Sequence, residues 1–215
     1  MKTIKNNVSN EIVIKNSRFI TKLYKVDNPN NIPKLLENIK KEYKDATHYC
    51  YAYIIDNVIK SSDDGEPGGT AGLPMLQVLK NNELNYILAI TIRYFGGIKL
   101  GAGGLVRAYT KSLTTTLDKS EIISLIKGYD LTIEFEYTNI KEIDHLLKDI
   151  NITWKDFNEK VTYNLYIPDY YLKELINNNI KIIDKKDKYI EKWYLSFLSI
   201  KNYSEYQYLT KHKFI

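Results

Sequence analysis

Nine of the ten glycines in this 215-residue chain fall between Gly65 and Gly104, and Gly128 alone lies outside. They occupy two stretches, Ser61-Ser62-Asp63-Asp64-Gly65-Glu66-Pro67-Gly68-Gly69-Thr70-Ala71-Gly72 and Phe95-Gly96-Gly97-Ile98-Lys99-Leu100-Gly101-Ala102-Gly103-Gly104. Glycine weakens helices and strands except where the backbone needs positive φ or close approach by another group. The concentration therefore marks one region where backbone geometry outranks generic folding, and the search for a site starts there.

The apolar patterning around these stretches predicts an α+β chain. Glu11–Lys15 and Arg18–Tyr24 read as an opening strand pair, and Pro33 starts a helix with Leu35, Leu36 and Ile39 on one stripe. His48–Ile55 alternates as a strand, with His48, Cys50, Ala52 and Ile54 on one face and Tyr49, Tyr51, Tyr53 and Ile55 on the other. The first glycine stretch is expected to follow that strand directly and to lead into a helix over Leu73–Lys80. Tyr86–Arg93 reads as a strand covered on both faces. The second glycine stretch then enters a helix over Leu105–Leu117, with Leu105, Ala108, Ser112 and Leu113 inward and Arg107 and Lys111 on another face. After Gly128 the order becomes β-α-β-β-α-β: strand Tyr129–Tyr137, helix Asn139–Ile150, strands Ile152–Phe157 and Lys160–Ile167, a helix from Pro168, and strand Tyr189–Leu198. That order is ferredoxin-like. Two domains are expected, over residues 1–126 and 127–215.

Composition bounds the function. A 44% hydrophobic chain can bury a core, and no apolar run reaches the roughly 20 residues of a membrane span. The N-terminus has no apolar h-region of a secretory signal. The single Cys50 excludes an intrachain disulfide and a cysteine-rich zinc cluster, and fits a reducing cytosol. Net charge is +5, compatible with nucleic acid or an anionic ligand but equally with a solvated lysine surface.

Both glycine stretches connect a strand to a helix, where free N–H groups and the positive end of the dipole favour anions. Gly101, Gly103 and Gly104, flanked by Lys99 and Arg107, fit an anion cradle; tight turns packed on each other are the alternative. The cradle is not a Walker A loop, since no Gly-Lys-Ser/Thr follows, and Gly-x-Gly-x-x-Gly spacing is absent. The acidic stretch carries Asp63, Asp64 and Glu66. Three carboxylates can hold a hard cation such as Mg²⁺, but ion pairs to Arg93, Lys99 or Arg107, or helix caps, are the expected use. No bound metal or cofactor is expected. Convergence of Asp63, Asp64, Glu66, Arg93 and Arg107 is expected, as is an N-cap at Thr70. His48 and Cys50 share a strand face, but i, i+2 side chains rarely meet as a nucleophile–base pair, so Cys50 reads as a small core hydrophobe. His145 and His212 have no companions suggesting a metal site.

Three segments together say more than their parts. Ala46-Thr47-His48-Tyr49-Cys50-Tyr51-Ala52-Tyr53, the run from Ser62 through Gly65, Pro67, Gly69, Thr70 and Gly72 to Leu76, and the run from Thr91 through Arg93, Gly96 and Gly97 to Tyr109 closely resemble the YigZ/IMPACT family. The resemblance implies an N-terminal α+β domain similar to domain IV of elongation factor G and a C-terminal domain similar to its ferredoxin-like domain V. It implies an association with translation or RNA. Eukaryotic relatives bind the ribosome-associated activator of a starvation-responsive kinase and carry an extra N-terminal RWD domain. The first motif here begins too early for such a domain, so kinase-pathway regulation is not expected to carry over.

The expected function is thus a cytoplasmic, non-enzymatic contact of RNA or the translation machinery. The expected surfaces are Lys99, Arg107 and Lys111, and the C-terminal sheet with Trp154, Tyr163, Trp193 and Tyr194. One alternative is a metal-dependent phosphate-ester or peptide hydrolase built on the acidic stretch; another is a protein–protein adaptor.

Overall fold

Strand β6, Ile87–Tyr94, is buried along nearly its whole length because it lies in the middle of a sheet covered on both faces. The computed structural model describes residues 1–176 and 180–191 and divides into two compact units, 1–123 and 124–215. The first unit carries a five-stranded antiparallel sheet in the order β2-β3-β6-β4-β5, with β2 Val8–Ile14, β3 Ser17–Lys25, β4 His48–Ile55 and β5 Val58–Ser62. Helix α1, Ile32–Glu42, covers one face and packs Ile32 and Ile39 with Tyr53, Ile55, Leu88, Ile90 and Ile92. Helices α2, Gly72–Asn81, and α3, Ala102–Leu117, cover the other and pack Met75, Leu79, Tyr109 and Leu113 with Phe19, Cys50, Ala52, Ile87 and Ala89. The two faces of β4 thus enter two different cores, as its period-two pattern predicts. Strand β1, Lys2–Ile4, is tied down by Lys2 N–H to Glu83 O and by Asn85 N–H to Lys2 O.

The sequence pattern runs β4 straight into the first glycine stretch and does not show β5. That strand is an exposed edge, so its side chains carry no alternating pattern; only the Asp56-Asn57 turn, with Asp56 at φ 53°, signals the hairpin. The β2–β3 turn is two residues, Lys15 and Asn16, at φ 45° and 63°.

The second unit is built from β7 Ile122–Phe135 (whose first two residues precede the division), α4 Ile140–Leu146, β8 Asn151–Phe157, β9 Val161–Pro168, α5 Leu172–Ile176 and β10 Lys181–Glu191. Its strands pair antiparallel in the order β10-β7-β9-β8, which is the ferredoxin-like arrangement. Leu131, Ile133, Val161, Tyr163, Leu165 and Ile167 meet Ile143, Leu147 and Leu175 in its core. The last strand starts earlier than the expected Tyr189–Leu198, at Lys181, and the part of that expectation from residue 192 onward lies outside the described residues. Lysine-rich Lys181–Lys188 has no strand-like apolar pattern, and its backbone pairing with the long β7 makes it a strand. Trp193, Tyr194 and His212 lie outside the described residues.

Candidate functional site

β5 and β6 both run antiparallel to β4, so they point the same way and release both glycine loops at one end of the sheet. His48 at the start of β4 and Ser17 at the start of β3 stand at that same end. The topology therefore gathers residues that are far apart in sequence, from Ser17 to Tyr109.

Asp63 is the brace of the first loop. Its carboxylate accepts the N–H groups of Gly69 (2.8 Å), Ala71 (2.9 Å) and Gly72 (2.8 Å), closing the loop onto the start of α2. Burial alone raises its pKa, but the three N–H groups prevail and hold the carboxyl below the usual carboxylate value. This corrects the expected cap at Thr70. The Thr70 hydroxyl donates to Pro67 O instead, at 2.6 Å, and α2 takes its acceptor from Asp63 across the loop. Gly72 must be glycine for contact reasons: a Cβ there would sit 2.7 Å from Ser62 N.

Glu66 is the hub. It is buried, and its Oε1 accepts from Arg93 Nη1 at 2.5 Å and from the Tyr109 hydroxyl at 2.8 Å. Its Oε2 lies 3.8 Å from His48 Nε2. The other ring nitrogen of His48, Nδ1, is 2.9 Å from Asp64 O; a carbonyl only accepts, so Nδ1 carries the proton in that bond. Asp64 itself accepts from Tyr49 N–H at 2.7 Å, with Lys40 Nζ 3.8 Å away. The Cys50 thiol donates to Asp63 O at 3.0 Å and lies 3.3 Å from the Tyr109 hydroxyl. Burial pushes that thiol up to about 12, and burial raises the Tyr109 phenol as well. Cys50 is therefore a neutral thiol at physiological pH and not a nucleophile. Arg93 Nη2 reaches Ser17 Oγ at 3.4 Å, while its buried Nε has no hydrogen-bond partner among the described residues. The guanidinium lies against the Phe19 and Phe95 rings.

Of the five residues expected to converge, Glu66 and Arg93 meet, but Asp63 and Asp64 turn to backbone amides. Arg107 is exposed and pairs with no carboxylate among the described residues. Lys99 of the second loop and Lys111 of α3 are exposed and unpaired in the same sense. Helix α3 starts at Gly101, φ 71°, with no side-chain cap, and nothing within 4 Å occupies the Cβ position of Gly97 or Gly101. Ser17 joins the cluster without a motif to single it out, and Tyr109 joins it from the end of the third motif run, where it is not among the expected site residues. The signal for Tyr109 is its place on the inward stripe of α3 beside Leu105 and Leu113, where a buried phenol needs a polar partner. Tyr163 is not a surface aromatic; it is fully buried in the second core. Trp154 is 47% exposed, opposite Asn164 on β9.

Residues 15–117, which include both loops, match the Impact N-terminal domain. The chain is 37% identical over 202 residues to IMPACT family member YvyE of Bacillus subtilis (strain 168), covering 88% of this chain and 93% of that relative. The chain belongs to the IMPACT family. IMPACT family member YigZ of Escherichia coli (strain K12) is 35% identical over 162 residues, covering 72% of this chain and 79% of the relative. A crystal structure described as that of a hypothetical protein superposes with a TM-score of 0.61 at 30% identity, over 84% of this chain and 95% of that one. In this IMPACT-family chain the matched region thus contains the whole Glu66 cluster and both glycine loops.

Proposed function

We propose that this protein is a non-catalytic contact of RNA in the cytoplasmic translation apparatus, with the second glycine loop and the start of α3 facing phosphate. The observation that carries this reading is the unequal use of charge at one sheet end. The acidic loop spends its carboxylates on internal partners, whereas Lys99 just before the uncapped helix start, and Arg107 and Lys111 further along α3, are exposed and have no carboxylate partner among the described residues. Cations without internal partners beside open N–H groups suit phosphate oxygens. Family membership and the resemblance to domain IV of elongation factor G support the setting. A hydrolase that holds a metal on Asp63, Asp64 and Glu66 would have to break the hydrogen bonds that close the loop.

The test is a salt titration of RNA binding, by filter binding and by ribosome co-sedimentation. Removing one phosphate contact lowers the log–log salt slope by about 0.7 to 0.9. The double variant Lys99→Glu/Arg107→Glu is expected to abolish binding at low salt and to flatten the slope. Wild-type protein that retains no RNA and sediments with no ribosome at low salt refutes the proposal.

A further inference from the structure

Phe95 sits in the second glycine loop with 46% of its surface exposed, unusual for a residue whose neighbour Arg93 is almost wholly buried. Its position is fixed from three sides. Its N–H donates to Thr47 Oγ1 at 3.0 Å, and the next N–H, of Gly96, donates to Ser17 Oγ at 3.2 Å. Gly96 is wedged so tightly against Asn16 that a Cβ would lie 2.1 Å from its carbonyl carbon. The Arg93 guanidinium stands 5.6 Å from the Phe95 ring centre and supports the ring from the protein side. The backbone that carries the ring is thus pinned, and the half-exposed side chain rests against Arg93. Ile98, also 46% exposed, and Lys99, without a carboxylate partner among the described residues, follow within four residues, which the chain can span in at most about 14 Å.

Taking the RNA reading above as its basis, we infer that Phe95 is a stacking platform for an unpaired base, and that the loop takes single-stranded rather than duplex RNA. Charge complementarity favours this occupant: a planar ring four residues from Lys99, which has no carboxylate partner among the described residues, matches the base-and-phosphate repeat of a single strand. A duplex keeps its base faces covered and offers Phe95 nothing to stack on.

The experiment measures fluorescence-anisotropy affinities of the full chain for a labelled oligo-uridine 12-mer and for a 12-base-pair RNA duplex, across a salt series. Phe95→Ala is expected to weaken single-strand binding by about fivefold to hundredfold, the scale of one base–aromatic stack. The salt slope stays unchanged, because every phosphate contact remains, and duplex binding stays unchanged as well. Phe95→Trp is expected to restore single-strand affinity and to show RNA-dependent quenching beyond that of the native tryptophans. Thermal melts of both variants check that the fold is kept. If wild type binds RNA but Phe95→Ala matches it, or weakens strand and duplex alike, the stacking inference is overturned and the RNA reading survives. If wild type binds neither oligonucleotide at low salt, the RNA reading itself fails and the inference falls with it.

Discussion

Arg93 and Glu66 are withdrawn from water together, their side chains 5% and 3% exposed, so each is the condition for burying the other. Removing one partner strands a charge, at a penalty of about 3–5 kcal/mol. Arg93→Met is expected to destabilise the protein by that amount in urea melts. Glu66→Gln/Arg93→Met, which keeps an acceptor for Tyr109, should be less destabilised than Arg93→Met alone; strictly additive effects would show that the pair is not coupled. Cys50 supplies a pH prediction. Its folded pKa, about 12, stands above the ordinary 9.0, so the native state keeps its proton longer. That stability is fully present below about pH 9 and disappears as pH rises towards 12. Tyr109, also raised, acts with the same sign. Cys50→Ala should therefore flatten the alkaline fall of unfolding free energy by up to about 1.4 kcal/mol per pH unit. Equal slopes in the two proteins would contradict the assignment. The residue types of this cluster were legible in the motifs, but not their pairing: Glu66 rather than Asp64 takes Arg93, and only the side-by-side placement of β4, β6 and α3 decides that.

At the scale of elements, the glycine loops are joints whose tolerance differs position by position. Helix α2 begins on the Asp63 carboxylate, so Asp63→Ala should cost about 2 kcal/mol, at the upper end for a helix cap. It should also speed hydrogen exchange at Gly69, Ala71 and Gly72. Gly72→Ala and Gly96→Ala place a methyl group 2.7 and 2.1 Å from neighbouring backbone, and each is expected to destabilise by about 1–3 kcal/mol or to fail to fold. Gly103→Ala meets only the tip of Arg107, at 3.6 Å, in the first turn of α3, and is expected to be neutral or stabilising by up to about 1 kcal/mol. The contrast is the check: if all three substitutions behave alike, close packing is not what keeps these glycines. β4 and the inward stripe of α3 could be read from sequence by their periodicity, and β6 by its apolar run, because it is buried on both faces. β5 and β10 could not, because an edge strand is held by its backbone ladder and its side chains record little of it.

At the scale of the whole molecule, among the described residues, two buried apolar clusters lie in residues 4–117 and one has its buried members between Tyr129 and Leu175. Arg93→Met is therefore expected to lower exchange protection throughout 1–123 and to leave the amides of β7 beyond Ser124, β8 and β9 unchanged. An equal drop in both units would show a single cooperative unfolding. The sequence by itself determined the α+β class, the ferredoxin-like order of the second half, the family and the location of the special backbone. Those properties are written in period, spacing and glycine placement, all of which are local along the chain. The tertiary structure alone decided which charges are consumed and which stay free. The acidic loop is satisfied internally while Lys99 and Arg107 are left to the solvent, because ion pairing depends on a few ångströms between segments that the sheet order, not the sequence spacing, brings together.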